Sequence, residues 1–132
     1  MKFRILSLML LSLIGATSVK NGEDAPLFNL LNQDDRTVSL EEFKGKKVVL
    51  EWTNHDCPFV KRHYDTGNMQ NLQKEMSDQD IVWLSIVSSA EGKQGHITKE
   101  QAKELTMKRS AYPAPVLVDV EGSVGRMSVS YT

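Results

Sequence analysis

The segment VVLEWTNHDCP, residues 48–58, limits the choice of fold more than any other part of this sequence. Residues 48–53 form a nearly continuous run of strand-favouring side chains, which predicts a central strand buried on both faces. A polar turn follows, and Pro58 suits the first position of a helix, because that position needs no backbone N–H donor. A chain that passes from a buried strand into a helix in this way is typical of the α/β class.

The rest of the chain repeats this alternation of strands and helices. Short strands are predicted at 25–30 and 37–40, followed by a helical turn at 40–43 where Ser39 and Glu42 have capping-box spacing. The helix from Pro58 is predicted to loosen at Gly67 and to continue to residue 76. Buried strands are predicted at 81–87 and 116–119, with a capped helix over 98–109 between them. We therefore predict an α/β fold with a central parallel or mixed sheet flanked by helices, and we place the two tryptophans, Trp52 and Trp83, in its core.

The first eighteen residues differ in character from the rest. Lys2 and Arg4 precede an almost wholly apolar run at 5–14, and small residues follow at 15–18. This layout predicts a signal peptide over 1–18 and a mature domain over 19–132, in the periplasm or secreted. An uncleaved membrane anchor is the alternative, but the apolar run is shorter than the ~20 residues that span a bilayer. We expect no stable membrane insertion after cleavage, and a net charge of −1 gives no strong attraction to nucleic acid.

Cys57 is the single cysteine of the chain, so no disulfide can form within it. It lies between the strongest strand and a helix, at the end of a strand where catalytic groups collect in open α/β sheets. The positive end of the helix dipole favours the thiolate there, as do Lys61 and Arg62, whereas Asp56 opposes it. This placement favours a reactive thiol, although an inert, buried cysteine stays open as the alternative.

Two histidines flank Cys57, and their side chains suit either metal binding or proton transfer. His55 and His63 could join Cys57 and Asp56 as ligands of zinc or copper, but their spacing matches no standard ligand pattern. His63 is also able by type to donate a proton to a leaving group. A histidine on a helix surface is the commoner situation, and we predict neither a metal nor an organic cofactor.

Several segments in order resemble one protein family: APLFNL, VSLEEFKGKKVVLEWTNHDCPFVKRHY, GNMQNLQ and VLVDVEG. Together they are similar to the peroxiredoxin-like (AhpC/TSA, redoxin) branch of the thioredoxin superfamily. The resemblance implies a thioredoxin-like fold with Cys57 as the attacking residue. It implies thiol-dependent reduction of a peroxide, or a related exchange with a small thiol or disulfide through one cysteine.

The chain departs from the family pattern at informative positions. Val60 stands where a thioredoxin-type reductase has its second cysteine, so an external thiol reductant would have to restore Cys57. The threonine that helps to orient the peroxide in typical peroxiredoxins has no exact counterpart, and Thr53 or Asn54 would take its place. Pro58 would set the start of the helix, and Arg126 is, by order alone, a candidate for the arginine that stabilises the thiolate.

The resemblance also implies that the sequence stops before the cis-proline loop, the last strands and the closing helix of a thioredoxin fold. We interpret this as truncation of the domain, and a stripped-down version of the fold is the alternative. A non-catalytic thioredoxin-like module that binds a partner or senses oxidation through Cys57 is the alternative function, and a copper or zinc carrier is a third.

Overall fold

The computed structural model describes residues 19–111 and 115–128 of the chain. The strands are β1 (Asn29–Asn32), β2 (Thr37–Ser39), β3 (Val48–Trp52), β4 (Val82–Val87) and β5 (Val116–Val118). The α-helices are α1 (Pro58–Asp65), α2 (Asn68–Asp78), α3 (Lys99–Lys108) and α4 (Ser123–Ser128), and a single 3-10 turn covers Leu40–Phe43. The predicted signal peptide lies outside the described residues, as do residues 129–132, where the chain was expected to stop short of the cis-proline loop.

The strands form one mixed sheet in the order β2-β1-β5-β4-β3. Strands β3, β4 and β5 are parallel, with Leu50 opposite Leu84 and Ile86 opposite Leu117. Strand β1 runs antiparallel to both β5 and β2. The predicted α/β fold with a central mixed sheet is therefore confirmed, and the parallel arrangement brings the carboxyl ends of β3, β4 and β5 to one edge.

The position of β3 differs from the prediction. Among the described residues β3 pairs with β4 alone, so it is an edge strand and its residues are half-buried or exposed. The prediction of a central strand buried on both faces was wrong, because a run of apolar residues reports on the faces of a strand and not on its hydrogen-bonding edges. Trp52 is 36% exposed and Trp83 is half-buried, so the core assignment fails for Trp52.

The core lies on both faces of β4 and β5. Leu84, Ile86 and Leu117 are fully buried, and Val124 of α4 packs with them. A second cluster under α3 joins Val87, Ile97 and Ala102. Helix α4 was not predicted, because six residues contain too few turns to show an apolar period.

Local signals in the sequence account for several boundaries. Thr98 and Gln101 form the predicted capping box at the start of α3, and Ser39 and Glu42 form one before the 3-10 turn. Gly67 adopts a left-handed conformation (φ 74°) and divides the predicted long helix into α1 and α2. None of the helices in the described part of the chain is long and apolar enough to cross a bilayer.

Candidate functional site

Cys57 caps the N-terminus of α1, at the carboxyl end of β3. Its backbone is extended (φ −65°, ψ 125°), and the helix begins at Pro58, as the sequence predicts. The Cys57 N–H donates to the Asn54 carbonyl at 3.1 Å, and the Cys57 carbonyl accepts from Lys61 N at 2.9 Å. The thiol is partly buried and makes no capping hydrogen bond. Cys57 is therefore a partly exposed residue at the positive end of a helix.

The turn before Cys57 is shaped by Asn54 and by the loop 88–97. Asn54 Oδ1 accepts from the backbone N of Asp56 at 2.9 Å, which closes a local side-chain turn. Gly95 lies so close that a Cβ atom on it would meet the Asn54 side chain at 2.5 Å. The Gly95 N–H also donates to Asp56 Oδ2 at 3.3 Å. The loop thus packs directly against the turn, a contact that no local pattern of residues predicts.

Thr53 continues the sheet beyond the end of β3. Its N–H donates to the Ile86 carbonyl at 3.0 Å, while its hydroxyl oxygen is buried and has no hydrogen-bond partner among the described residues. The structure therefore brings Thr53, Asn54, Cys57 and Pro58 together in one strand–turn–helix segment. It buries the Thr53 hydroxyl, and Thr53 is one of the residues that line a small cavity.

That cavity has a volume of about 40 Å³ and lies between the sheet, α1, α2 and α3. Apolar residues form part of its lining, and the polar residues that line it are Thr53, His55, Tyr64, Gln73, Ser85, Thr106 and Arg109. Three of these lining residues carry a buried polar atom that has no hydrogen-bond partner within the described part of the chain: Thr53 Oγ1, His55 Nδ1 and Gln73 Oε1. Such atoms are uncommon in folded proteins and require an explanation.

A buried polar network centred on Glu51 adjoins the cavity. The Glu51 carboxylate accepts hydrogen bonds from Tyr64 Oη at 3.1 Å, Trp83 Nε1 at 2.9 Å and Ser85 Oγ at 2.8 Å. Gln73 Nε2 in turn donates to Tyr64 Oη at 3.1 Å. Sequence reasoning missed this network, although Glu51 is the one charged residue in the apolar run of β3 and was a signal for it.

Tyr64 is the most perturbed ionisable group described near the site. Burial, followed by the negative charge of Glu51, raises the pKa of Tyr64 to about 12. The guanidinium of Arg109 lies over the Tyr64 ring, 4.1 Å from its centroid. Tyr64 therefore remains a neutral hydrogen-bond donor to Glu51 at physiological pH.

The other candidate residues have local partners. His55 Nε2 lies 3.6 Å from Asp56 Oδ1, and His63 Nδ1 lies 3.2 Å from Asn68 Nδ2 on the exposed surface. Arg126 donates to the Glu121 carbonyl at 2.9 Å. Within residues 19–111 and 115–128, no group of three or more histidine, cysteine or carboxylate side chains is placed to hold a metal ion.

Comparisons with known proteins show the family and the fold to which this chain is similar. The model of the AhpC/TSA family matches residues 21–128. A Haemophilus influenzae protein named as a peroxiredoxin, bcp, is 33% identical over 66 residues, which is 50% of this chain and 40% of that protein.

Two solved structures are also similar. A conserved protein from Geobacillus kaustophilus has a TM-score of 0.69 at 25% identity, over 80% of this chain and 55% of its own. The exposed lipoprotein thioredoxin of Streptococcus pneumoniae has a TM-score of 0.57 at 29% identity, over 75% of this chain and 70% of its own. The chain thus spans less than half of the curated relative and about half of the first structure. With its thioredoxin-like fold and a family match over most of its length, the chain belongs to the AhpC/TSA family, a redoxin of the thioredoxin superfamily.

Proposed function

We propose that the protein is a thiol-dependent peroxide reductase in which Cys57 is the nucleophile. The observation that carries this proposal is the position of Cys57, partly exposed at the N-terminus of α1 with a thiol that makes no capping hydrogen bond. Membership of the AhpC/TSA family and similarity to a protein named as a peroxiredoxin support the same chemistry.

The first step consumes the peroxide. The Cys57 thiolate attacks one oxygen of the peroxide, the O–O bond breaks, and the leaving oxygen takes a proton to become an alcohol or water. Cys57 is oxidised to a sulfenic acid, and the peroxide is reduced.

The second step requires a thiol from outside the chain. Cys57 is the only cysteine, and Val60 stands where a resolving cysteine would lie one turn on. An external thiol therefore condenses with the sulfenic acid to form a mixed disulfide and releases water. A second external thiol then attacks that mixed disulfide, which frees Cys57 and yields the oxidised reductant as a disulfide.

The neighbouring residues hold the turn on which this chemistry depends. Thr53 Oγ1 is buried, so in this proposal Thr53 acts by shaping the turn and not by touching the peroxide. Asn54 commits Oδ1 to the Asp56 amide, which leaves its Nδ2 group as the part able to contact the peroxide. Pro58 fixes the start of the helix behind the sulfur.

We further propose that this activity takes place after export, in the periplasm or outside the cell. The charged, apolar and small-residue stretches of residues 1–18 support export. The implied partners are a peroxide and a small external thiol, and the scheme needs no metal or organic cofactor.

The test is turnover of hydrogen peroxide with dithiothreitol as the thiol, comparing the chain with its Cys57→Ser variant. We expect the chain to consume many equivalents of peroxide and the variant to consume none above background. Consumption of a single equivalent, despite excess dithiothreitol, would indicate a redox sensor. No consumption at all, with a thiol that alkylates only after unfolding, would indicate a module without this chemistry. Either result would refute the proposed enzyme.

A further inference from the structure

We propose that the open edge of strand β3 is a docking surface for the same strand of a second copy of this chain. Among the described residues β3 pairs with β4 alone, and none of its five residues is fully buried. In β4, by contrast, residues 84–87 are all buried. An edge strand presents a row of unpaired backbone groups, and another extended strand is the partner that such groups bind.

The backbone groups that face this edge can be assigned from the bonds between β3 and β4. The Lys47 carbonyl accepts from Val82 N at 3.0 Å, and the Thr53 N–H donates to the Ile86 carbonyl at 3.0 Å. In a parallel pair, the residues that bond to one neighbouring strand alternate with residues whose N–H and C=O groups face the other side. The groups at the open edge therefore belong to the alternate residues of β3, which are Val48, Leu50 and Trp52.

Two charged residues on this strand select the partner. Lys47 is exposed and Glu51 is half-buried, and neither makes an ion pair with any residue in the described part of the chain. The donors that Glu51 does have are neutral, and they are Tyr64, Trp83 and Ser85. Charges on an edge strand discourage pairing with an arbitrary strand, so a suitable partner has to neutralise them.

An antiparallel second copy meets this requirement. Lys47 and Glu51 are four residues apart, so their side chains project from the same face of the strand. When Lys47 lies opposite Glu51 of the second copy, the twofold symmetry also places Glu51 opposite Lys47 of that copy. A parallel arrangement of the two strands would bring like charges together instead. An antiparallel register with Leu50 opposite its own counterpart would place Glu51 opposite Val49.

The same register satisfies the backbone at the edge. It places Val48 opposite Leu50 of the second copy, and both residues have outward-facing N–H and C=O groups, so they form hydrogen-bonded pairs. Val49 lies opposite its own counterpart, and Lys47 lies opposite Glu51. These are non-hydrogen-bonded pairs, in which opposite side chains approach each other most closely. Charge and backbone geometry thus agree on one arrangement.

The dimer has a predictable strength and leaves the Cys57 sites apart. Two strands of five residues bury little surface, so association should be reversible and should depend on protein concentration. In this register Thr53 lies opposite Gly45 of the second copy, so the two Cys57 turns lie at opposite ends of the joined sheet. The inference is therefore independent of the proposed peroxide chemistry.

Sedimentation equilibrium of the full chain over a range of concentrations tests the association. We expect a monomer–dimer equilibrium that weakens as salt is added, because salt screens exposed charges. Lys47→Glu places like charges opposite each other twice and should weaken the dimer by about tenfold or more. Lys108→Glu is the matched control, since it makes the same charge change at an exposed residue of α3 and should dimerise like the unmodified chain.

A cross-link tests the register directly. In a Cys57→Ser background, Val49→Cys places two thiols opposite each other on strands whose Cα atoms are about 4.5 Å apart, within the range of a disulfide. We expect mild oxidation to link this variant into a covalent dimer. Lys108→Cys in the same background is more exposed and should link more slowly. Circular dichroism verifies that each variant is folded.

Two results would overturn the inference. The first is a chain that stays monomeric at every concentration, which would leave the edge to a strand of another protein or of another segment. The second is a dimer that Lys47→Glu does not weaken, together with linking of Lys108→Cys that is as fast as linking of Val49→Cys. That combination would show that the copies associate through a different surface.

Discussion

Replacement of Tyr64 by phenylalanine removes one hydroxyl group from the centre of the buried network. Tyr64 is only 6% exposed, and its hydroxyl both donates to Glu51 and accepts from Gln73 Nε2. The substitution keeps the ring and its contact with Arg109. The expected loss of stability therefore comes from hydrogen bonds and not from packing.

The magnitude follows from the groups that lose a partner. A hydrogen bond to a charged acceptor contributes about 1.5–3 kcal/mol, and Gln73 Nε2 is left buried without an acceptor. Glu51 keeps its donors from Trp83 and Ser85, which limits the damage. We expect Tyr64→Phe to lower the free energy of unfolding by about 2–4 kcal/mol near neutral pH.

This difference should depend on pH in a defined direction. The pKa of Tyr64 is raised from 10.0 to about 12, so the native state holds the phenol proton more tightly than the unfolded chain does. The resulting stabilisation is complete below pH 10 and is lost as the pH rises toward 12. At about pH 11 the free energy of unfolding of the unmodified chain should have fallen by roughly 1.4 kcal/mol from this effect. The Tyr64→Phe variant has no phenol at this position and does not show this decrease, so the stabilities of the two proteins approach each other.

Urea unfolding followed by tryptophan fluorescence measures both effects. The chain and Tyr64→Phe are compared near neutral pH and at mildly to strongly alkaline pH, and Tyr131→Phe controls for removal of a phenol elsewhere. A stability difference that stays constant across the alkaline range would show that the pKa of Tyr64 is not raised. A difference near zero at neutral pH would refute the role of its hydroxyl in the network.

The remaining predictions concern the site loop, a helix cap and a buried carboxylate. Gly95→Ala should destabilise the chain by about 1–3 kcal/mol and alter the alkylation rate of Cys57, whereas Gly45→Ala, with a similar φ but open space around it, should cost only about 1 kcal/mol. Equal costs in urea unfolding would contradict the contact with Asn54. Thr98→Ala should cost about 1 kcal/mol by loss of the cap of α3, and no loss in thermal unfolding would count against the capping box. Burial opposes the ionisation of Asp119, but hydrogen bonds from Ser88 and from the α4 backbone outweigh this effect and lower the pKa of Asp119. The unmodified chain should therefore be more stable than Asp119→Asn near neutral pH, and this difference in the free energy of unfolding should shrink as the pH falls below 3.8. An advantage that persists in acid would refute that assignment.

Local patterns in the sequence predicted most of the helices and strands. The capping pairs at Ser39 and Thr98 and the proline at position 58 gave correct helix starts, because each depends on neighbouring residues alone. The apolar runs at 81–87 and 116–119 corresponded to β4 and β5 with shifts of one residue at an end. The first strand begins four residues later than predicted, at Asn29, because its pairing with β2 and β5 decides where it starts.

Features that depend on distant residues were not accessible in the same way. The edge position of β3 is a matter of sheet order, which a strand does not encode in its own side chains. Helix α4 is held by Asp119, whose carboxylate accepts from Ser123 Oγ at 3.1 Å and Gly125 N at 3.0 Å. In the site, the position of Cys57 between a strand and a helix could be predicted from the sequence. The network of Glu51, Tyr64 and Gln73 joins β3 to two helices, so it could be identified only from the three-dimensional structure.

The residues that stabilise the Cys57 turn differ from the residue that would carry out the chemistry. In the proposed function the sulfur has to be accessible, so the turn that carries Cys57 cannot be stabilised by complete burial of that residue. Stability comes instead from residues on either side, since Asn54 contacts the Gly95 loop while Thr53 and His55 line the cavity. A substitution on either side should therefore change the position and the exposure of the thiol without changing the thiol group itself. This is why the rate of Cys57 alkylation, measured beside global stability, distinguishes a residue that positions the sulfur from one that only supports the fold.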